Sequence, residues 1–151
     1  MQRKRDDKIV DGIDIQCEIE PVAFDDMANR APAESSASIR ERVMRARAVQ
    51  NLRFKGERGV YCNAQMNSRL LHQYAWPDEQ GLAKLKDRMT KLNMSARAFD
   101  RILRVARTIA DLDYAATMPA EDAVSAPVLS RHIAEAIGYR ALDRASYGQI
   151  F

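Results

Sequence analysis

Residues 95–112, SARAFDRILRVARTIADL, decide the fold because they form the clearest amphipathic helix in the chain. Apolar side chains recur here at the i, i+3, i+4, i+7 spacing that places them on one face of a helix. This apolar face consists of Phe99, Ile102, Leu103, Ala106, Ile109 and Ala110. The opposite face carries Arg97, Arg101, Arg104 and Thr108. The pattern therefore predicts a core helix whose polar stripe is built mostly from arginines.

This arginine stripe has two interpretations. A guanidinium stays charged, and its planar fork matches the oxygens of a phosphate group, so the stripe suits a phosphorylated ligand. Arginines on a helix are also common as solvated residues. Asp100 and Arg104, at i and i+4, have the spacing of a surface pair worth about 0.2–0.5 kcal/mol. Periodicity alone leaves both interpretations open.

The same stretch carries a resemblance to a known family. Its pattern S-A-R-A-x-x-R-I-L-x-V-A-R-T-I-A-D-L resembles the C-terminal part of the magnesium-chelatase-like AAA+ ATPases of the competence-associated ComM type, which are bacterial DNA branch-migration helicases. Further blocks agree with that family in order along the chain. They are residues 13–15 with the acidic run after them, 38–40 through 46–47 and 50, 63–66, and 132–136 through 139–140. Together the blocks cover roughly residues 11–145, nearly the whole chain.

The resemblance implies that this chain is the lid and C-terminal region of such an ATPase. Arg97 then matches the sensor-2 arginine, which reaches from the lid to the γ-phosphate of ATP on the core domain. Arg101, one turn further along, would support it. The remaining arginines of the motif would form structural pairs, Arg104 with Asp100 and Arg107 with Asp111, or contact a neighbouring subunit.

The sequence lacks the parts of an ATPase that hold the nucleotide. It contains no Gly-x-x-x-x-Gly-Lys-[Ser/Thr] loop and no hydrophobic strand ending in paired acids that could hold magnesium. Gly12 stands where the family has an arginine that could act across a subunit boundary. We therefore expect no catalytic residue in this region and no cofactor bound by it alone. The intact parent would use ATP and Mg²⁺, join this lid to its own core domain and to neighbouring subunits in a hexameric ring, and act on DNA.

Residues 40–58 form a basic patch with seven arginines and lysines against two glutamates. Such a patch can meet the phosphates of DNA. The candidate DNA-binding residues are Arg40, Arg42, Arg45, Arg47, Arg53 and Lys55. A helix spreads these charges around its circumference, so the alternative is a solvated helix whose arginines pair with acidic neighbours.

The composition excludes several other classes of protein. With 46% hydrophobic residues, 30% charged residues and a net charge of +3, the chain has the composition of a globular domain. Cys17 and Cys62 are isolated, and the chain has two histidines, so neither a zinc site nor a disulfide framework is expected. No apolar run approaches the roughly 18 residues that span a bilayer, and the charged beginning is unlike a secretory signal. We expect a cytoplasmic protein with no membrane contact.

The fold predicted from these patterns is all-α. We expect residues 1–35 to be a core-domain remnant and linker, partly disordered, and residues 36–151 to be a bundle of about five helices that forms the lid. Residues 14–22 alternate as a short strand that ends near Pro21, and residues 24–38 have the composition of a linker.

Capping residues predict where the helices begin and end. The first helix runs from Ser36 or Ser38 to about Phe54, a short helix follows Asn63, and a third opens at Pro77. Asn93 or Ser95 caps the arginine helix, and a last helix runs from residues 125–127 to about Arg144. The first helix is expected to bury Ile39, Val43, Ala46, Val49 and Leu52. His132 is expected as a polar residue at the edge of the last helix.

Other functions remain open beside the lid of a ComM-type motor. The chain can be the lid of a metal-chelatase motor subunit, which shares the arginine helix. It can also be an autonomous basic helical module that binds nucleic acid, or an interaction domain whose arginine helix packs on another subunit. No serine, histidine or carboxylate has the spacing of a nucleophile or of an acid–base pair.

Overall fold

The computed structural model describes residues 12–29 and 31–140. Within these residues it contains seven α-helices and one 3-10 helix but no β-strand. The elements are α1 (Phe24–Ala28), α2 (Ser36–Arg53), the 3-10 helix (Asn63–Gln65), α3 (Ser68–Tyr74), α4 (Glu79–Leu92), α5 (Ala96–Ala115), α6 (Ala120–Ala123) and α7 (Ser130–Gly138). Five of the α-helices have seven residues or more, which confirms the predicted all-α bundle.

Side-chain caps fix the beginnings of α2 and α5. Ser35 caps α2 by accepting a hydrogen bond from the N–H of Ser38 at 3.2 Å, and Ser95 caps α5 by accepting one from Ala98 at 3.2 Å. Each cap satisfies an N–H group that has no partner within its own helix. Asn93 ends α4 in the left-handed conformation, with φ 46°. Of the two caps predicted for the arginine helix, Asn93 and Ser95, the structure confirms Ser95. The cap of α2 is Ser35, one residue before Ser36, the earlier of its two predicted caps.

α5 is the central helix of the bundle and packs against α2, α3, α6 and α7. Its apolar face is buried as the periodicity predicts: Ile102, Leu103, Ala106 and Ala110 are each at most 1% exposed. The helices around α5 and the segments between them complete the core with Phe54, Met66, Leu70, Leu71, Leu85, Val128, Ile133 and Ile137.

The buried face of α2 differs from the prediction. Ile39, Val43 and Leu52 are exposed by 43%, 46% and 39%, so the expectation that they face the core is wrong. The residues that α2 buries lie in its C-terminal half, where α5 and α6 cover it. They share one helical face: Ala46, Val49, Gln50 and Arg53.

The region before α2 also departs from the prediction. Residues 14–22, all of which are described, form no strand; Gln16 makes an isolated bridge with Arg140, and its N–H donates to the carbonyl oxygen of Tyr139 at 2.6 Å. Ile13 and Ile15 are 45% and 53% exposed because no neighbouring strand covers them. The predicted linker contains α1, which buries none of its residues.

The last helix begins later than predicted. Residues before it are extended, since Val128 forms an isolated bridge with Pro77 and accepts a hydrogen bond from the N–H of Asp78 at 3.0 Å. α7 therefore starts at Ser130. α7 ends at Gly138, so the predicted end near Arg144 is wrong. Residues 1–11 of the expected core-domain remnant lie outside the described residues. The division of the chain at residue 36 stays a prediction.

Candidate functional site

Arg97 lies in the first turn of α5, directly after the Ser95 cap, and its side chain is exposed. Among the described residues it has no hydrogen-bond or ion-pair partner. The first turn of a helix also presents N–H groups and the positive end of the helix dipole, both of which favour an anion. Arg97 is therefore a guanidinium available to a ligand that approaches the N-terminus of α5.

Arg101, one turn after Arg97, is already engaged. Its Nη1 lies 2.5 Å from Oδ1 of Asp14, and the two side chains are 29% and 46% exposed. This contact joins α5 to the extended residues that precede α1. Arg101 therefore differs from Arg97 in having a carboxylate partner within the chain.

The next two positions of the polar stripe face other elements of the bundle. Arg104 donates from Nε and Nη2 to the carbonyl oxygen of Met66, at 3.2 and 2.8 Å. This contact takes the place of the predicted pair with Asp100. The hydroxyl of Thr108 accepts a hydrogen bond from Nδ2 of Asn63 at 3.1 Å, so the 3-10 helix packs against this part of α5.

A buried ion network lies further along α5. Arg53 donates from Nη1 and Nη2 to the two carboxylate oxygens of Asp111, at 2.7 and 2.6 Å, and both side chains are 0% exposed. Arg107 donates from Nε to the same carboxylate at 3.1 Å, which is the structural pair expected for this arginine of the family motif, and Nδ2 of Asn63 donates to it at 2.8 Å. The carbonyl oxygen of Val124 also accepts from Arg53. The network thus joins α2, the 3-10 helix, α5 and the end of α6.

This network carries two buried cations for one carboxylate. Burial lowers the pKa of Arg107 to about 10, although the charge of Asp111 opposes the shift. Carbonyl oxygens compensate part of the excess charge: Nη1 of Arg107 donates to Tyr74 at 3.0 Å and to Ala126 at 2.6 Å. Within the described part of the chain, Nη2 of Arg107 is buried without an acceptor. The cluster is therefore a structural one, closed to solvent.

The burial of Arg53 corrects the predicted basic patch. Arg53 is 3% exposed and bound to Asp111, so it is not part of a surface that DNA can reach. Helical periodicity could have indicated this, because Arg53 lies on the same face as the buried Ala46 and Val49. The other candidates of the patch are exposed: Arg40, Arg42, Arg45, Arg47 and Lys55.

Two of these exposed arginines have carboxylate partners. Arg42 pairs with Glu34, and Arg45 pairs with Glu41 at 3.3 Å. Such exposed pairs contribute little to stability but lower the local positive charge. The exposed basic residues of the patch that have no ion-pair partner among the described residues are Arg40, Arg47, Lys55 and Arg58.

His132 is buried, so its prediction as a polar edge residue is wrong. It is 2% exposed, and its Nδ1 accepts a hydrogen bond from the N–H of Leu129 at 3.0 Å at the start of α7. Because Nδ1 accepts, neutral His132 carries its proton on Nε2 and donates it to Asp113, 3.0 Å away. This bond and a second one from Arg131 lower the pKa of Asp113 below its ordinary value.

A groove of about 840 Å³ lies between α2, α5 and α7. Ile39 and Val43 of α2 face Ile109 and Leu112 of α5 across it. The groove therefore explains where the apolar side chains of the N-terminal half of α2 point. Polar side chains line the groove as well, including Asp113, Arg131, His132 and Glu135.

Residues 12–29 and 31–140 hold no group of three or more His, Cys, Asp or Glu side chains that could bind a metal ion. In the same residues, no helix combines the length and the apolar character needed to cross a membrane.

Comparison with known proteins identifies the class to which this helical domain belongs. The family model described as "Magnesium chelatase, subunit ChlI C-terminal" matches residues 33–140. The chain therefore belongs to the magnesium chelatase C-terminal family, which confirms the resemblance drawn from the sequence.

Individual relatives agree with this assignment. The chain is 36% identical over 113 residues to the uncharacterized protein YifB of Escherichia coli, a match that covers 75% of this chain and 19% of YifB. It is 37% identical over 111 residues to the competence protein ComM of Haemophilus influenzae, covering 74% of this chain and 19% of ComM. The uncharacterized protein Rv2897c of Mycobacterium tuberculosis is 33% identical over 101 residues, or 67% of this chain and 20% of Rv2897c. The chain spans about a fifth of the length of these relatives.

Proposed function

We propose that this chain is the lid of a magnesium-chelatase-like AAA+ ATPase, and that Arg97 is its sensor-2 arginine. One observation carries the proposal: of the arginines on the polar face of α5, Arg97 is exposed at the helix N-terminus and has no partner among the described residues. Arg101 and Arg104 on the same face are engaged by Asp14 and by Met66. Arg97 is thus the arginine of this face that is free to meet the γ-phosphate of ATP.

The lid alone is expected to bind ATP weakly. A single exposed guanidinium gives a screened interaction of at most about 1 kcal/mol, or a factor of roughly five in affinity. The phosphate loop and the carboxylates that hold Mg²⁺ would come from the core domain of the parent. There, Arg97 would stabilise charge that develops on the γ-phosphate and link the orientation of the lid to the bound nucleotide.

For the parent we propose a ring-forming motor that hydrolyses ATP and moves branched DNA, as the resemblance to the ComM type implies. The exposed Arg40, Arg47 and Lys55 support contact with DNA, because each is a cation that has no ion-pair partner among the described residues. A gel shift with forked DNA tests this contact in the 151-residue chain and in the parent. Binding by the isolated chain with a steep salt dependence would instead favour an autonomous nucleic-acid-binding module.

A second candidate is the lid of a metal-chelatase motor subunit, favoured by the description of the matching family as a chelatase subunit. Both candidates need Arg97 at the nucleotide, so this residue does not separate them. They differ in what stimulates hydrolysis. Forked DNA should raise the ATPase rate of a branch-migration motor, whereas a chelatase motor should respond to its porphyrin-binding partner.

The ATPase rate of a full-length family protein that contains this region tests the role of Arg97. We expect Arg97→Ala to lower kcat at least about tenfold, because a charge that stabilises the transition state is lost. Arg58→Ala, measured without DNA, is the matched control, since Arg58 is another exposed arginine. Unchanged hydrolysis in Arg97→Ala would contradict the sensor assignment and favour a docking role for α5.

A further inference from the structure

We propose that Arg101 is a positioning residue, which ties residues 12–16 to the helix that carries Arg97. Residues 12–16 are called the leading segment below. The inference rests on the proposed function of Arg97, and it assigns Arg101 a task other than contact with phosphate. The inference follows from the positions of the residues that the leading segment contacts.

The ion pair between Asp14 and Arg101 joins residues that are 87 positions apart in the sequence. With 2.5 Å between Nη1 and Oδ1, the carboxylate balances the charge of Arg101. A phosphate that approached Arg101 would meet the repulsion of Asp14. Arg97, one turn nearer the helix N-terminus, has no such carboxylate partner among residues 12–29 and 31–140. The two arginines are therefore not equivalent toward an anion.

The leading segment joins two helices. Asp14 contacts α5, whereas the N–H of Gln16 donates to Tyr139 at 2.6 Å and Nη1 of Arg140 donates to the carbonyl oxygen of Ile13 at 3.2 Å. Tyr139 and Arg140 directly follow α7. A rotation of α5 relative to the leading segment must therefore break or strain the Asp14–Arg101 pair. In this way the segment holds the first turns of α5, and with them Arg97, in a defined direction.

The attachment of the leading segment is polar and reversible. Ile13 and Ile15 remain 45% and 53% exposed, so burial of apolar surface contributes little to it. The core contacts of α5 are made by other residues, such as Ile102 and Leu103, which are at most 1% exposed. Loss of the ion pair should therefore loosen the segment while the bundle stays folded.

Amide hydrogen exchange in the 151-residue chain tests the attachment without any nucleotide. In Arg101→Gln we expect the amide of Gln16 to exchange up to about fivefold faster, the factor that corresponds to an exposed ion pair of about 1 kcal/mol. Arg101→Lys keeps the charge and should restore most of the protection. Arg97→Gln is the matched control and should leave the exchange rate unchanged. Equal rates in wild type and Arg101→Gln, with both variants folded by circular dichroism, would overturn the proposal.

Steady-state kinetics of a full-length family protein containing this region separate positioning from direct binding. A positioning role predicts that Arg101→Gln lowers kcat with little change in KM for ATP, and that Arg101→Lys recovers activity. A rise in KM at constant kcat that lysine does not reverse would make Arg101 a ligand and overturn the proposal.

The kinetic result for Arg97 distinguishes this inference from the proposed function. If Arg97→Ala leaves hydrolysis unchanged, the sensor assignment fails, and the Gln16 exchange rates still decide whether Arg101 holds the leading segment. If Arg97→Ala abolishes hydrolysis while Arg101→Gln changes neither exchange nor kcat, the sensor assignment stands and the positioning role is refuted.

Discussion

Replacing Asp111 with alanine is the sharpest test of how this domain is held together. The carboxylate accepts hydrogen bonds from Arg53, Arg107 and Asn63, and the side chains of Arg53 and Asp111 are 0% exposed. Without the Asp111 carboxylate, the buried guanidinium groups of Arg53 and Arg107 would lie close together with no anion between them. Water cannot easily solvate them there, because the surrounding helices close the site.

The expected loss of stability is large for a single substitution. Breaking a buried ion pair by removing one partner costs about 3–5 kcal/mol. The second cation argues for the upper part of this range, since burial already lowers the pKa of Arg107 to about 10 with Asp111 present. A domain of this size has a total free energy of unfolding of about 5–15 kcal/mol. Asp111→Ala should therefore remove about a quarter or more of the stability.

Urea denaturation of the 151-residue chain, followed by far-UV circular dichroism, measures this free energy of unfolding. Asp87→Ala is the matched control, because Asp87 forms an exposed i, i+4 pair with Lys91 at 3.0 Å. That pair should contribute about 0.5 kcal/mol or less. A loss below about 1 kcal/mol in Asp111→Ala would refute the reasoning, since it would mean that the two guanidinium groups find other partners or solvent.

Two further predictions concern the packing of α4 and the acid stability of α7. A Cβ at Gly81 would lie 2.8 Å from Oδ1 of Asp78, the cap of α4, so Gly81→Ala should lower the free energy of unfolding by about 1–3 kcal/mol, as urea titration would show. Gly138→Ala, where a Cβ meets nothing within 4 Å, is the control, and equal losses in the two variants would contradict the prediction. The lowered pKa of Asp113 means that its bond to His132 stabilises the fold above the ordinary aspartate pKa of 3.8 and is lost as the pH falls through the lower folded value. The gap in unfolding free energy between wild type and Asp113→Asn should thus shrink below about pH 4 in acid titrations, and a constant gap would contradict it.

The parts of the fold that the sequence predicts well are those in which one pattern settles the structure. α5 combines a strict apolar periodicity with a Ser95 cap, and the structure places both as predicted. The apolar pattern of α2 does not indicate one buried face, because apolar residues occur around most of its circumference. Its buried face depends on which half of the helix α5 and α6 cover, and this is a tertiary property that Ile39 and Val43 do not reveal.

Sequence patterns also fail to distinguish the arginines of the candidate site from one another. Arg97, Arg101 and Arg104 look alike in the sequence, since each is an arginine on one helical face. They differ in the structure because Asp14 and Met66, which are distant in the sequence, supply acceptors to two of them. The assignment of Arg53 to an exposed basic patch is wrong for a related reason. An arginine within a basic run is expected in solvent, and its buried partner Asp111 lies 58 residues away. Which arginine is free is decided by long-range contacts.

The contact between Arg53 and Asp111 has a mechanical consequence for the domain. It fastens the last turn of α2 to α5 at a point where neither side chain can be reached by water. A displacement of the chain before Ser36 would therefore be transmitted through α2 to α5 without being lost at the contact between Arg53 and Asp111. The two hydrogen bonds from the guanidinium of Arg53 to Asp111 therefore help to fix the angle between α2 and α5.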